Sequence, residues 1–374
     1  MAPTAPTATA TSPRSPRHVL LAGGGTGGHV FPALAVAEEL LARGWRVSFT
    51  GSPTGMEARL VAERGLEFHP LAAAPLVGRG VFGKVGALAT LGRSGAAAAS
   101  LIRRLGADAV LGTGGYVSAP ALLGARLARR PVLLLEPNAR AGVANRWFSR
   151  WATGAVVGYR ETIQDLKCPC WVTGVPVRAA FFSVSALQAP IDAPRLLVLG
   201  GSQGARQVNA ALPEAAARLL ALLPSLTILH QAGARNLEET RAAYAALGLG
   251  EPRVEVVPFL DDVAGAMARS HLLVSRAGAI TLAEICAAGR PSVLIPLSIA
   301  QGHQMDNARL LADSGGAAVV PSDQLTPERL AGVLAELLGD AERLVRMGHA
   351  ASALARPRAV KDIADRLEEL ERRR

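Results

Sequence analysis

The stretch from Leu272 to Ala308 constrains the fold more tightly than any other part of the chain. It opens with an apolar run, Leu272 to Val274, and passes through Ser275, Arg276, Ala277 and Gly278. It then continues with Ile280, Leu282, Ile285 and Cys286 at helical spacing. This order reads as a buried strand, a glycine-containing turn and the start of a helix. Such a turn leaves the first backbone N–H groups of the helix unpaired and aims them, with the positive end of the helix dipole, at whatever lies in front. A phosphate is the natural occupant. Glu284 falls about one turn after Ile280 and Thr281, where a carboxylate can accept from two vicinal sugar hydroxyls. A nucleoside diphosphate carries both groups, although a glutamate standing alone is more often a solvated helix residue. A second apolar run, Pro291 to Pro296, leads to a polar loop with His303, Gln304 and Asn307 at the opening of the next helix.

The same unit recurs at the start of the ordered chain. His18 to Ala22 reads as an apolar strand, followed by Gly23 to Gly28, His29, and an apolar-periodic helix through Leu41. Gly23, Gly25 and Gly28 satisfy the GxGxxG pattern of dinucleotide-binding folds. That pattern also needs an acidic residue at the end of the second strand to hold a ribose. Here the second strand, Arg46 to Thr50, ends in Thr50, Gly51, Ser52 and Pro53, which argues against NAD. The glycines still let a phosphate or a sugar approach the backbone. Further along, Ala107 to Leu111 runs into Gly112 to Gly115 and Tyr116, and Pro131 to Leu135 runs into Glu136, Pro137 and Asn138. Ligands of doubly wound sheets collect at the carboxyl ends of strands, so His29, Tyr116, Glu136 and Asn138 are candidates.

After a strand at Trp171 to Thr173, the run Gly174 to Arg178 enters an irregular stretch with Pro190 and Pro194 that reads as a linker, 176–194. The pattern restarts at Arg195 to Leu199, with Gly200 to Gly204, a helix from Ala205 and a strand at Leu226 to His230. The expected architecture is α/β, with two Rossmann-like domains, 18–175 and 195–374, facing each other across a cleft. Residues 1–17, rich in Pro, Thr and Ala, read as a disordered tail. The last helices are free to pack back on the first domain.

Half of the 374 residues are hydrophobic, enough for two cores of roughly 150–200 residues each. The positive charge is uneven: 17 basic and 9 acidic residues from His18 to Val175, against 21 of each afterwards. An anionic surface or ligand suits the first half, though arginine-rich composition accounts for part of the excess. Phospholipid is favoured over nucleic acid, because the basic residues are not interleaved with aromatics and no recognition motif is present. The segment Pro75 to Val85 fits neither a strand nor a clean helix; it mixes Leu76, Val77, Val81 and Phe82 with Arg79 and Lys84. An exposed apolar loop edged with cations is what a peripheral membrane contact requires, and a loop folded onto its own core is equally expected. No run of about 18 uninterrupted apolar residues is present, so no membrane span is expected. Cys168, Cys170 and Cys286 make neither a disulfide framework nor a zinc site, which points to a reducing compartment.

Seven ordered stretches, GGTGGHVFPALAVAEEL, TGGYVSAP, EPNARAGVANR, GVPVR, GGSQGARQVN, SRAGAITLAEICAAGRP and HQMDNA, resemble the motifs of the MurG family of GT-B glycosyltransferases over Val19 to Ala308. The resemblance implies inverting transfer of N-acetylglucosamine from UDP-N-acetylglucosamine to the C4 hydroxyl of undecaprenyl-pyrophosphoryl-N-acetylmuramyl pentapeptide (lipid I), giving lipid II. It also implies a peripheral place on the cytoplasmic face of the bacterial inner membrane, in contact with anionic lipids. The second domain would hold the UDP-sugar and the first the lipid acceptor. Ser202, Ala279, Ile280, Thr281, Glu284 and Gln304 fall on donor-binding positions, with Glu284 on the ribose and Leu260 beside the uracil. Thr26, Gly27, Gly28, Asn138 and Arg178 also match donor-contacting positions, and Tyr116 and His29 lie on the acceptor side. No cofactor and no metal are implied, and no Asp-x-Asp motif is available to hold a metal.

The acceptor hydroxyl must lose a proton, and His29 and Glu136 are the candidate bases. His29 is favoured, because the positive end of a helix dipole disfavours imidazolium. The chain departs from the family at Leu135 and Pro137, where many members carry His and Gln. A 2-epimerase, a lipid A disaccharide synthase, or a non-catalytic membrane scaffold that keeps nucleotide binding are the alternatives.

Overall fold

The computed structural model describes residues 17–75, 80–201, 204–298 and 303–372. The first domain is built on a parallel sheet of seven strands among the described residues: β1 (His18–Ala22), β2 (Arg46–Gly51), β3 (Glu67–Pro70), β4 (Ala109–Gly112), β5 (Val132–Glu136), β6 (Gly154–Val157) and β7 (Cys170–Val172). Its helices are α1 (Gly27–Ala42), α2 (Met56–Ala62), α3 (Val81–Leu105), α4 (Gly115–Leu127) and α5 (Val143–Phe148). The strand order is β3-β2-β1-β4-β5-β6-β7, with β1 paired in register to β2 (Val19 with Val47) and to β4 (Val19 with Ala109). β1, β4 and β5 are buried along their whole length, as expected of apolar strands covered by helices on both faces.

The second domain repeats the design with six described strands: β8 (Arg195–Leu199), β9 (Thr227–Gln231), β10 (Val254–Val257), β11 (Leu272–Ser275), β12 (Ser292–Leu294) and β13 (Ala317–Val319). Around them pack α6 (Arg206–Leu222), α7 (Leu237–Ala245), α8 (Val263–Ala268), α9 (Ala279–Ala288), α10 (His303–Asp313), α11 (Pro327–Leu338) and α12 (Ala341–Ala353). The order β10-β9-β8-β11-β12-β13 places the reversal of winding between β8 and β11, as it lies between β1 and β4 in the first sheet. Each reversal opens a crevice at the carboxyl ends of its two central strands, where ligands bind in such sheets.

The last helix, α13 (Ala359–Arg372), leaves the second domain. Ile363, Ala364, Leu367 and Leu370 repeat at helical spacing and are buried in the core formed by Val30 to Leu40 of α1. Arg43, at the end of α1, reaches Asp365 at 2.6 Å and Glu368 at 3.1 Å. The expected linker is likewise more structured than its prolines suggest: Val177 and Phe181 are buried in the second core.

One expectation changes at α3. Val81 to Val85 form its first turn, after Gly80 in extended conformation, so this part of the expected loop is helical. Of the expected membrane-contact residues, Leu76, Val77 and Arg79 lie outside the described residues, and Val81, Phe82 and Lys84 fall in that turn. The lack of an uninterrupted apolar run does not by itself keep α3 below the length and composition of a span. Val85 to Leu105, 21 residues of mean hydropathy 1.3, has the length and composition of a span, because Gly, Ala, Ser and Thr dilute its few arginines without lowering hydropathy far. Its later half packs as a core helix, with Ala98, Ala99, Leu101 and Ile102 buried and Gly124 of α4 pressed against Ala98.

Candidate functional site

In the first crevice, α1 begins directly after the glycine loop. Thr26 is extended at the N-cap and makes no side-chain cap, so the first N–H groups of α1 stay open. His29, in the first turn, places Nδ1 2.7 Å from the Thr113 carbonyl. A carbonyl only accepts, so Nδ1 carries the proton and Nε2 keeps its lone pair. The Thr113 hydroxyl donates back to the His29 carbonyl at 2.8 Å. Beside the ring, Gly114 and Gly115 have φ of +90° and +71°, and a Cβ on either would come within 3.3 Å of the imidazole. Burial pushes the imidazole below its usual pKa, against the opposing pull of the Glu136 charge and the Thr113 carbonyl. His29 is therefore neutral, but burial rather than the helix dipole is the leading cause.

Sequence reasoning missed Glu57. This carboxylate, fully buried in the first turn of α2, accepts from Gly25 N–H at 3.2 Å and from Ser52 N–H at 2.8 Å. A Cβ on Gly24, Gly51 or Gly55 would collide with it. An acid does follow the second strand, but it braces the glycine loop from below. The signal was an acidic residue shortly after Gly51 and Gly55.

Glu136 ends β5 and is 2% exposed. Its Oε1 accepts from the Asn138 N–H and side-chain amide at 3.1 and 2.9 Å, and its Oε2 from Gly142 N–H and the Asn145 amide at 2.8 and 2.9 Å. Four donors occupy this carboxylate and shape the loop after β5. Asn138 in turn meets Asn307 of α10 across the cleft at 3.2 Å. A second crossing lies nearby, with Arg140 3.7 Å from Asp306.

On the facing side, α9 starts after Gly278 with no side-chain cap, so a second helix N-terminus is open. Glu284 on α9 is pushed up to about 7 by burial, although Arg178 beside it pulls the other way. Arg178 sits with Nη2 3.6 Å from Glu284 and its guanidinium over the rings of Phe31 and Phe181. Arg178, expected at a donor-contacting position, thus already joins the two domains through Glu284 and Phe31. Gln304 holds the Leu297 N–H at 3.2 Å, Leu260 packs partly buried against the second core, and Ser202 lies outside the described residues.

Two cavities meet here. One, about 500 Å³, lies in the first domain between α3, α4 and α5, and its wall is mostly apolar: Leu88, Leu91, Tyr116, Pro120, Trp147 and Phe148. The other, about 670 Å³, lies between the domains and is walled by Thr26 and Gly28 from α1 and by Gly278, Ala279, Ile280 and Gln304. Both open helix N-termini face this second space, which suits an anion. His29, Asn138 and His303 line both cavities. Thr281, Glu284, Arg178 and Leu260 lie outside the wall of the second cavity. No group of three or more metal-ligating side chains occurs among the described residues.

The sequence matches the glycosyltransferase family 28 N-terminal domain over residues 19–157 and the glycosyltransferase family 28 C-terminal domain over residues 195–367. It is 43% identical over 364 residues to the UDP-N-acetylglucosamine--N-acetylmuramyl-(pentapeptide) pyrophosphoryl-undecaprenol N-acetylglucosamine transferase of Halorhodospira halophila, covering 95% of this chain and 99% of that one. The protein of the same name from Syntrophotalea carbinolica is 42% identical over 340 residues, covering 90% of this chain and 94% of the other. The crystal structure of MurG from Acinetobacter baumannii superposes with a TM-score of 0.78 at 35% identity, covering 95% of this chain and all of that one. The fold is accordingly GT-B, and the chain belongs to glycosyltransferase family 28.

Proposed function

We propose that the chain transfers N-acetylglucosamine from UDP-N-acetylglucosamine to the C4 hydroxyl of the muramyl sugar of lipid I, with inversion at the anomeric carbon, giving lipid II. The observation that carries this reading is the wall shared by the two cavities. An apolar space and an anion-suited space meet at His29, Asn138 and His303. The names of the relatives supply the substrates.

In this reading the UDP-sugar lies in the interdomain cavity with its diphosphate at the open start of α9, and Glu284 releases Arg178 to accept from the ribose hydroxyls. The acceptor sugar enters from the apolar cavity. Its C4 oxygen attacks the anomeric carbon as the carbon–oxygen bond to the β-phosphate breaks. The hydroxyl proton passes to His29 Nε2, and the electron pair leaves with UDP. The uncapped N–H groups of α9 face the charge that develops there and lower the barrier. One in-line displacement inverts the centre. We assign the base to His29 rather than Glu136, because four donors already fill the acceptor sites of the Glu136 carboxylate and a proton would have to displace one of them. Glu136 serves instead as the anchor of the loop that carries Asn138.

The mouth of the apolar cavity supports a peripheral seat on the cytoplasmic face of the inner membrane. Leu88 and Trp147 are 56% and 51% exposed there, in the half of the chain that carries the net positive charge. The test is transfer of labelled N-acetylglucosamine to a soluble lipid I analogue, with and without EDTA. Product in both conditions supports the reading. Labelled N-acetylmannosamine from the donor would indicate a 2-epimerase, and UDP binding with no product would indicate a scaffold.

A further inference from the structure

We propose that Asn307 is a positioning residue for the transfer step: it fixes the orientation of the Asn138 amide so that Asn138 presents its free N–H, rather than its oxygen, to a substrate oxygen. The inference rests on the functional reading above.

Asn307 is fully buried in α10. Its Oδ1 accepts from the Ala139 N–H at 2.8 Å, and its Nδ2 donates to the Ala277 carbonyl at 3.2 Å and to Asn138 Oδ1 at 3.2 Å. A backbone N–H can only donate and a carbonyl can only accept, so these two partners settle which end of the Asn307 amide is which. The remaining Nδ2 hydrogen then requires an acceptor, and Asn138 supplies its Oδ1. Glu136 fixes the other end, since Asn138 Nδ2 donates to its Oε1 at 2.9 Å. With its oxygen committed to Asn307 and one N–H to Glu136, Asn138 has a single N–H left. Asn138 lines both cavities, so that N–H is available to an oxygen of the sugar or the diphosphate.

The same side chain sets a second relation. Ala277 immediately precedes Gly278, the cap of the helix whose open N-terminus faces the leaving diphosphate. Ala139 belongs to the loop that Glu136 organises. Asn307 therefore holds the acceptor-side loop of the first domain at a fixed distance from the donor-side helix of the second.

Four variants test this: Asn307→Ala, the isosteric Asn307→Asp, Asn138→Ala, and Asn138→Ala with Asn307→Asp. Asn307→Asp keeps an acceptor for Ala139 but cannot donate to Asn138 or Ala277, so it separates amide polarity from shape, and it serves alone if Asn307→Ala does not fold. The readouts are kcat and KM for transfer and the Kd for UDP by calorimetry. We expect kcat of Asn307→Asp to fall about tenfold or more, with UDP Kd within about threefold, and the double variant to lie within about twofold of Asn138→Ala alone. Wild-type turnover by Asn307→Asp, loss of UDP affinity in step with kcat, or a double variant that loses the product of the two single effects would overturn the inference. Failure of the functional reading is distinct: the unsubstituted protein would then make no product.

Discussion

The two crevices are built on the same plan, yet they are finished differently. In the first, side chains occupy the space around the glycine loop: Glu57 braces Gly25 from below, Thr113 pins His29, and Gly114 and Gly115 make room for the ring. In the second, the described residues leave the start of α9 bare, and the one acid nearby, Glu284, is held by an arginine that both domains share. A fixed imidazole suits chemistry, which needs one geometry. Open N–H groups suit binding, which needs unsatisfied donors. The contrast supports the proposal that catalysis belongs to the first domain's crevice and donor capture chiefly to the second's, although α1 also opens its first N–H groups on the shared space.

Substitutions on the two sides should therefore separate turnover from affinity. The largest effect belongs to His29→Ala, expected to lower kcat by about 10²–10⁴ while UDP affinity by calorimetry stays within a few-fold. Loss of UDP binding in parallel would collapse the contrast. Glu284→Ala is expected to show the opposite profile, weakening UDP by roughly ten- to a hundredfold, the worth of hydrogen bonds to a charged group. Its pH dependence sharpens the point. The free carboxyl titrates near 7, raised by burial, and only the ionised form accepts from both ribose hydroxyls. UDP affinity should then fall as pH drops from about 8 to 6, by at most about tenfold per unit, and the fall should vanish in Glu284→Gln.

Glu57→Ala comes next. It removes the part-buried hydrogen bonds that the Gly25 and Ser52 N–H groups donate to a carboxylate, worth about 1.5–3 kcal/mol each, and loosens the loop that leads into His29. Turnover should drop and UDP affinity hold, measured in the same two assays. The smallest effect is expected from Leu88→Asp at the rim of the apolar cavity. Co-sedimentation with anionic vesicles should weaken several-fold, with catalysis on a soluble acceptor nearly unchanged. Equal loss in both assays would place Leu88 in the acceptor site itself.

Much of this was legible in the sequence because it is local. β1 and β8 fall on His18 to Ala22 and Arg195 to Leu199 as the apolar runs indicate, and the glycine turns mark the crevices. What the sequence hid depends on distant partners. Asn307 acts on a loop 168 residues earlier in the chain, and nothing in its own neighbourhood marks that contact. The apolar face of α13 is readable as a helix, but its docking on α1 depends on which core lacks a cover. Glu57 was overlooked because an acid that follows a glycine-rich turn by a few residues looks like an ordinary first-turn glutamate; only burial shows that it faces inward. At α3 the mixed composition of Pro75 to Val85 hid the boundary, since Val81 to Val85 are the first turn of a helix that follows an extended Gly80.

The central claim, that the proton leaves through His29 at the wall between the cavities, has a direct test in chemical rescue of His29→Gly. The substitution opens space for one imidazole beside a cavity of about 500 Å³. Single-turnover transfer to a soluble lipid I analogue should be nearly absent without added base. It should return in proportion to free imidazole, with UDP affinity unchanged. A His29→Gly protein that binds UDP normally and turns over at the wild-type rate without imidazole would contradict the claim.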